Sequence, residues 1–336
     1  MDRSELLGNW LRDRFGDDVS GLVPASSDAS FRRYFRVAQG DRTLIVMDAP
    51  PEHEDCRPFV HVARVFRDAG VAVPDVLAAD LEQGFLVLTD LGDATYLSVL
   101  TEGNADALYG DAIDALIRIQ RHSRPGVLPD YDEPLLRREL DLFPAWFVDR
   151  HLRALLAPEE RAALEQGFRR IVRNALAQPQ AYVHRDYHSR NLMVSEPNPG
   201  ILDFQDAVFG PITYDLVSLF KDAYIEWEEA RVREWTARYW ERARSAGLPV
   251  QADFGEFYRD FEWMGVQRHL KVLGIFARLY HRDGKSGYLK DMPPVRRGVL
   301  ATCRRYPELS FMVRLLERLE ASTAQDVPPA AGGGAA

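Results

Sequence analysis

Lysine is almost absent from this chain. Among its 336 residues the only lysines are Lys221, Lys271, Lys285 and Lys290, so the first 220 residues contain none. Arginine supplies nearly all of the positive charge. Any anion that binds to the first two thirds of the chain must therefore be held by arginine, by histidine or by neutral donors.

Cysteine and long apolar runs are also scarce. Cys56 and Cys303 are the only cysteines and lie far apart, which argues against a disulfide framework or a paired-cysteine metal site and favours a reducing compartment. No run approaches the roughly eighteen apolar residues of a membrane helix. The first five residues do not resemble a signal peptide. We therefore expect a cytoplasmic protein with no membrane partner.

Excess positive charge is missing as well. The formal net charge of −9 argues against a nucleic-acid partner, because such proteins normally present a basic face. The composition, 46% hydrophobic and 28% charged, is typical of a folded enzyme. The length exceeds what one hydrophobic core comfortably holds, so we expect two lobes. We expect a monomer.

Hydrophobic periodicity predicts an α+β chain. Residues 1–20 have the pattern of an amphipathic helix, and Phe31–Val37 and Thr43–Met47 have the patterns of strands. A helix with Phe59 and Phe66 on its apolar face follows, and two further strands, Val71–Val76 and Phe85–Leu88, complete a small sheet. Helical patterns dominate the remainder. We predict an N-lobe over 1–90, a helical C-lobe over 91–321 and a disordered tail over 322–336.

The segment from Tyr182 to Val194 carries the most specific motif. It contains His184, Asp186 and Asn191 in the pattern H-x-D-x₄-N, directly before an apolar strand. After a turn rich in proline, a second strand leads to Asp203. A hairpin of these strands would bring Asn191 and Asp203 together at its open end, where two oxygen ligands suit Mg²⁺. Asp186 could then accept the proton of an incoming hydroxyl group.

This arrangement resembles the catalytic and metal-binding loops of protein kinases, and more closely those of the aminoglycoside-phosphotransferase family, in which a histidine follows the catalytic aspartate by two, as His188 does. The resemblance implies a two-lobed protein-kinase-like fold that uses ATP and Mg²⁺. It implies that Asp186 is the base, that Asn191 and Asp203 bind the metal, and that His184 braces the loop. His188 and Arg190 count with the catalytic residues. Asp215, in a segment that also matches the family, would cap or hydrogen-bond the catalytic loop.

Other interpretations of the same residues exist. Aspartate and asparagine in loops often only cap turns. A metallohydrolase could use His184, Asp186 and His188, but the sequence offers no clear further ligands. A protein kinase needs a long activation segment ending in A-P-E, whereas Pro211 and Asp215 follow Asp203 almost at once, so a small acceptor is favoured.

The nucleotide-binding end departs from the family. A small polar turn between a first strand-like run at Leu22-Val23 and the strand Phe31–Val37 occupies the place of the glycine-rich phosphate loop, and comprises Ser26, Ser27, Asp28, Ala29 and Ser30. The lysine of the third strand is missing, with Met47 or Asp48 in its place, so we predict that Arg32 or Arg33 replaces it. The Asp90 carbonyl and the Gly92 N–H are the predicted adenine contacts. The missing lysine also allows a pseudokinase that binds nucleotide without catalysis.

The acceptor is less clearly encoded. Cell-wall amino sugars, aminoglycosides and other small alcohols all fit. The Met47–Pro51 segment, the motif D-F-Q-D and the region from Phe254 to Lys290 resemble bacterial N-acetylmuramate/N-acetylglucosamine anomeric kinases. That resemblance implies phosphorylation of the C1 hydroxyl group of a free amino sugar in peptidoglycan recycling.

The predicted acceptor residues are aromatic or cationic. Tyr224 and Trp227 could stack on a sugar ring, and Arg268, His269 or Arg190 could pair with a sugar carboxylate. The helical spacing of Trp263, Gln267 and Lys271 favours helix packing instead. An acidic run at 226–229 would suit a cationic aminoglycoside, or simply a solvated helix face.

Overall fold

The computed structural model describes residues 2–16, 19–25 and 31–325. Within the described residues the chain divides into two compact units. The first unit comprises Met1–Leu128 and His184–Val208, and the second comprises Pro129–Val183 and Phe209–Ala336. The predicted catalytic and metal-binding segments thus belong to the same unit as the N-terminal sheet. The lobe boundary at residue 90 stays a prediction.

The helices and strands follow in chain order. Up to residue 128 they are α1 (Arg3–Phe15), β1 (Val19–Pro24), β2 (Arg33–Gln39), β3 (Arg42–Asp48), α2 (Arg57–Asp68), β4 (Val76–Asp80), β5 (Phe85–Thr89), α3 (Tyr96–Val99) and α4 (Ala105–Arg121). Next come α5 (Glu133–Leu140), a π-helical segment (Phe143–His151), α6 (Pro158–Ala177), β6 (Gln180–Val183), β7 (Leu192–Met193), β8 (Gly200–Ile201) and β9 (Val208–Pro211). The rest is α7 (Tyr214–Phe220), α8 (Glu229–Ser245), α9 (Phe254–Asp283), α10 (Met292–Arg305) and α11 (Ser310–Gln325), with short 3₁₀ turns at Ser286–Asp291 and Pro307–Leu309.

The first unit is built on an antiparallel sheet with the strand order β1-β2-β3-β5-β4. Apolar side chains of α1, including Leu7 and Leu11, form one core cluster with Val46 of β3 and Phe85 of β5. The structure confirms the predicted N-terminal helix as α1 and the predicted helix with Phe59 and Phe66 as α2. It also confirms three predicted strands as β2, β3 and β5.

The predicted strand Val71–Val76 is wrong, because the strand begins where that segment ends, at Val76. Pro74 has no N–H group to donate to a sheet ladder. Upstream of it, the Ala72 carbonyl accepts a hydrogen bond from the Ile201 backbone N–H at 2.8 Å. The segment before Pro74 thus pairs with strand β8 instead of the main sheet.

The second unit is mainly helical and is organised around α9. Gly274 lies at the contact of α9 with the π-helical segment, where an added Cβ would come 2.5 Å from the Leu142 carbonyl carbon. The helix side chains Trp263, Gln267 and Lys271 are all buried, as the packing interpretation of their spacing predicts. Strands β6 and β9 form a two-stranded sheet.

Buried polar side chains tie α9 to α5 and α7. Lys271 Nζ lies 2.9 Å from Glu139 Oε1 and donates to the Tyr214 hydroxyl group at 2.9 Å. Gln267 Nε2 donates to Glu139 Oε2 at 3.0 Å, and the Tyr131 hydroxyl group donates to the same carboxylate. A buried carboxylate is stable only with such partners.

The C-terminal end of the structure differs from the prediction in one respect. Helix α11 continues to Gln325, four residues into the predicted disordered tail, and residues 326–336 lie outside the described residues. Among the helices of the described residues, none is long and apolar enough to cross a membrane.

Candidate active site

The hairpin of β7 and β8 positions Asn191 and Asp203. Leu192 pairs with Ile201, and the Leu202 backbone N–H donates to the Asn191 carbonyl at 2.9 Å, so the residues at the open end lie side by side. Asn191 Nδ2 lies 3.4 Å from Asp203 Oδ2 and donates to the Asp186 carbonyl at 3.0 Å. The predicted proximity of Asn191 and Asp203 is therefore confirmed, and Asp186 joins them.

A compact turn holds the segment from Asp186 to Asn191. The His188 backbone N–H donates to the Asp186 carbonyl at 3.0 Å, and the Asn191 backbone N–H donates to the His188 carbonyl at 2.9 Å. Arg185 and Asp203 adopt positive φ angles of 76° and 62°, in the region that favours glycine. Such backbone conformations persist where surrounding contacts enforce them, and they concentrate at functional sites.

His184 links the two segments of the site. Its Nδ1 accepts a hydrogen bond from the Asp186 backbone N–H at 3.2 Å, so its Nε2 carries the proton and donates to the Leu202 carbonyl at 2.9 Å. The side chain is fully buried, and its ring packs against Phe66 of α2. Because these backbone contacts engage both ring nitrogens, His184 does not act as a metal ligand. This argues against the metallohydrolase interpretation.

Opposing effects act on the pKa of the Asp203 carboxyl group. Desolvation by the surrounding protein atoms raises the pKa of its carboxyl group, and the nearby charge of Asp186 adds to the increase. Gln205 Nε2 donates to Asp203 Oδ1 at 2.7 Å, and this hydrogen bond, together with Arg32 and His188, acts in the opposite direction. The Asp203 carboxylate and the side-chain oxygen of Asn191 are hard oxygen donors of the kind that Mg²⁺ prefers. The residues present therefore fit a divalent cation.

One of the two residues predicted at the position of the missing lysine is acidic. Asp48, at the end of β3, is completely buried, and Arg3 Nε lies 2.6 Å from its Oδ1. Arg33, the partner of Asp48 in the β2–β3 register, donates to Oδ2 through Nε at 2.9 Å and also through its terminal nitrogen. Arg33 is thus engaged in neutralising Asp48.

Arg32 occupies a different environment. Its guanidinium group lies 2.8 Å from Glu54 Oε2, and its side chain is only 13% exposed. Burial lowers the pKa of Arg32, but the charges of Tyr34, Glu54 and Asp203 outweigh it and raise the pKa above the usual value. Of the two arginines predicted to replace the lysine, Arg32 is the one whose charge reaches Asp203.

The segment after β5 is held by an arginine. Arg36 of β2 contacts both oxygens of the Asp90 carboxylate, at 2.6 and 3.0 Å, and donates to the Gly92 carbonyl at 3.0 Å. The Gly92 N–H, a predicted adenine contact, donates to Asp90 Oδ1 at 3.0 Å. The Asp90 carbonyl is therefore the better of the two adenine candidates. The predicted phosphate turn, Ser26 to Ser30, lies outside the described residues.

A cavity of about 510 Å³ in the second unit gathers three of the five predicted acceptor residues, Tyr224, Trp227 and His269. His269 Nε2 lies 2.8 Å from the Lys221 carbonyl. Burial lowers the pKa of His269 to about 4, so the ring is neutral at pH 7 and cannot be the predicted cation for a carboxylate. The fourth residue, Arg268, is buried with its guanidinium group 5.5 Å from the Tyr214 ring centre.

Lys221 is a cavity residue that the sequence analysis missed. It is one of the four lysines and directly follows α7, and this rarity is the signal that could have drawn attention to it. Burial lowers its pKa to about 8 although Glu262 lies 4.0 Å away. At pH 7 it is still mostly protonated, so it is the lysine that can present a positive charge to this cavity.

The acidic residues at the rim of the cavity form ion pairs with arginines. Glu226 Oε2 lies 2.9 Å from Arg297, and Glu229 Oε1 lies 2.9 Å from Arg305. These pairs favour the solvated-face interpretation over a binding site for a polycationic aminoglycoside.

Asp215 is buried in the first turn of α7, and its contact with the catalytic loop stays a prediction. Arg190 is exposed.

Residues 21–250 match the model of the phosphotransferase enzyme family, and the chain belongs to this family. It is 57% identical over 298 residues to the N-acetylmuramate/N-acetylglucosamine kinase of Pseudomonas aeruginosa, an alignment that covers 89% of this chain and 88% of the relative. The kinase of the same description from Neisseria meningitidis is 48% identical over 95% of this chain and 96% of its own length.

Solved structures of low sequence identity share the fold. Choline kinase LicA from Streptococcus pneumoniae has a TM-score of 0.62 at 11% identity, covering 89% of this chain and 99% of its own. The ADP-bound aminoglycoside phosphotransferase APH(2'')-Ib has a TM-score of 0.57 at 14% identity, covering 86% and 96%. The predicted α+β, protein-kinase-like fold class is confirmed.

Proposed function

We propose that this enzyme transfers the γ-phosphoryl group of ATP to the anomeric C1 hydroxyl group of N-acetylmuramate and N-acetylglucosamine, with Asp186 as general base. One observation carries the reaction type: Asp186, Asn191 and Asp203 converge at the end of one hairpin, in a chain of the phosphotransferase family. The names of the relatives that are 48–57% identical support the acceptor.

The loop residues have separable tasks in this proposal. Asp186 accepts the proton of the sugar hydroxyl group as the oxygen attacks phosphorus, and an anomeric hydroxyl group is acidic enough for a carboxylate base. Asn191 and Asp203 would hold Mg²⁺, which neutralises charge on the phosphates when bound. His184 keeps the Asp186 and Leu202 backbones in register through its two hydrogen bonds. His188 and Arg190 would assist phosphate binding from the same loop.

The acceptor side rests on the cavity of the second unit. We propose that Trp227 and Tyr224 contact the sugar ring, because aromatic faces suit the apolar side of a pyranose. Lys221, mostly protonated at pH 7, would pair with the carboxylate of N-acetylmuramate, which N-acetylglucosamine lacks. A cytoplasmic monomer in peptidoglycan recycling is the setting that the sequence analysis predicts.

The deciding measurement is ADP release with Mg²⁺ and ATP against a panel of N-acetylmuramate, N-acetylglucosamine, kanamycin and choline, with ³¹P NMR of every product. We expect turnover of the two amino sugars and an anomeric phosphate signal. Asp186→Asn should lower kcat by about 10²–10⁴-fold with little change in nucleotide affinity, because only proton transfer is lost.

Other results would support a different function or mechanism. Faster turnover of kanamycin than of either sugar would indicate an aminoglycoside kinase, and phosphate on any hydroxyl group other than C1 would refute the anomeric assignment. Binding of ATP without transfer to any acceptor would indicate a pseudokinase. Unchanged turnover by Asp186→Asn would remove Asp186 from the mechanism.

A further inference from the structure

Two adjacent contacts join the start of β2 to the segment before α2. The Phe31 ring stacks on the His53 ring with centres 4.4 Å apart and planes 19° apart. In the next position on each side, Arg32 pairs with Glu54 at 2.8 Å. Glu54 is largely shielded, with 19% of its side chain exposed. Two neighbouring contacts of different chemistry fix both the position and the direction of the Arg32 side chain.

The same segment leads directly to the metal-binding strand. Glu54 lies two residues before Cys56, the N-cap of α2. In the first turn of that helix, Phe59 packs on Phe204 with ring centres 4.8 Å apart, and Phe204 follows Asp203 in the chain. The start of α2, three residues after Glu54, is therefore the end that packs on Phe204, the residue next to Asp203.

The neighbouring arginine is directed elsewhere. Arg33 is the first residue of β2, whereas Arg32 precedes the strand and pairs with Glu54, so the two arginines have different partners. Arg33 contacts Asp48, a carboxylate with no exposed surface, which Arg3 also contacts. Removal of Arg33 would leave a buried carboxylate short of a partner and thus affect stability before ligand binding.

We propose that Arg32, oriented by Glu54, is the cation that binds the nucleotide phosphates in place of the missing strand lysine. This inference rests on the proposed function, since it needs an ATP-binding enzyme. A guanidinium group has donors on several edges, so it can hold a carboxylate and a phosphate at once. The pair thus replaces the lysine–glutamate pair of protein kinases, with the cation just before β2 instead of on the third strand.

Calorimetric titration with Mg²⁺-ATP, Mg²⁺-ADP and adenosine tests the proposal without turnover. Arg32→Gln should weaken ATP and ADP binding by about tenfold or more, because a charge-assisted contact is lost, while adenosine binding changes by less than about twofold. Glu54→Gln should weaken ATP binding by a smaller factor, because Arg32 is kept but no longer oriented. Arg57→Gln, an exposed arginine on α2, is the matched surface control and should bind all three ligands as the wild type does.

Arg32→Lys keeps the positive charge but lacks the planar guanidinium group, so it should restore ATP binding in part. If Arg32→Gln does not fold, Arg32→Lys takes its place in the test. Wild-type ATP affinity in Arg32→Gln, or equal weakening of ATP and adenosine, would overturn the proposal. In Arg33→Gln we expect a lower Tm and an unchanged ratio of ATP to adenosine affinity. An unchanged Tm with selectively weakened ATP binding would assign the phosphate-binding role to Arg33 instead. A wild-type enzyme that fails to bind ATP would instead refute the proposed function.

Discussion

The buried imidazole of His269 makes the stability of this protein sensitive to acid. His269 is 7% exposed and lies beside Lys221 and Arg268, both of which disfavour a further positive charge. Its pKa is lowered from 6.5 to about 4, mainly by burial. The folded state therefore resists protonation of a group that the unfolded chain protonates readily below pH 6.5. Stability from the neutral ring is fully present above that pH and is lost as the pH falls toward about 4.

We therefore expect His269→Gln to reduce acid sensitivity. A glutamine amide can still donate to the Lys221 carbonyl but takes up no proton in this range. Between pH 7 and pH 4 the wild type should lose up to about 3 kcal/mol more of its unfolding free energy than the variant. Urea unfolding at several pH values measures the difference.

The exposed His61 of α2 provides the matched control, since His61→Gln removes one imidazole from the first unit without altering a buried site. Because His269 is intact in this variant, it should keep the loss of unfolding free energy that the wild type shows between pH 7 and pH 4. Parallel pH profiles for the wild type and His269→Gln would contradict the assignment of the acid sensitivity to His269.

At the scale of residues, the sequence predicted what a local motif encodes. Asp186, Asn191 and Asp203 lie within one short hairpin segment, so their proximity followed from the spacing of strands and turn. The roles of Arg32 and Arg33 could not be separated, because the choice depends on Glu54 and Asp48, which approach from other segments. Lys221 and the neutral state of His269 depend on long-range burial, which has no local sequence signal.

At the scale of elements, α9 is held by a buried ion pair in addition to its apolar packing. Lys271 and Glu139 are 7% and 6% exposed, and each has further partners from α7 or from the segment around Tyr131. The sequence predicted helical structure in this region, but neither the bounds of α9 nor the buried pair. A lysine and a glutamate 132 positions apart give no sign in sequence that they meet.

Lys271→Met should destabilise the second unit by about 3–5 kcal/mol, because it leaves the Glu139 carboxylate buried without its ammonium partner. Adding Glu139→Gln should restore part of that loss, since the remaining group is then neutral. Thermal unfolding of the single and double variants measures the interaction.

Arg304→Met removes one side of an exposed ion pair with Glu317 in the same unit and should cost less than about 1 kcal/mol. A loss in Lys271→Met no larger than in this control would show that the buried pair contributes little.

At the scale of the whole molecule, each compact unit contains one cysteine. Cys56 in the first unit is 3% exposed and Cys303 in the second is 1% exposed. Burial raises the pKa of both thiols, that of Cys303 to about 12. Since the thiolate is the reactive species, both side chains should be inert in the native protein.

We expect a thiol reagent such as Ellman's reagent to modify neither cysteine in native buffer and both in denaturant. The variants Cys56→Ala and Cys303→Ala leave one thiol each, so their modification rates at intermediate urea concentrations report the opening of each unit separately. Rapid modification of either thiol in native buffer would contradict the burial described above.

The lysine-free first unit has a consequence for chemical proteomics. Acyl-phosphate derivatives of ATP label many kinases by acylating a lysine amine beside the bound nucleotide, and residues 1–128 and 184–208 provide no such amine. A survey based on these probes would find no lysine to acylate in this unit. Dicarbonyl reagents that condense with guanidinium groups are the better chemistry here, with protection by ATP as the sign of a labelled nucleotide site.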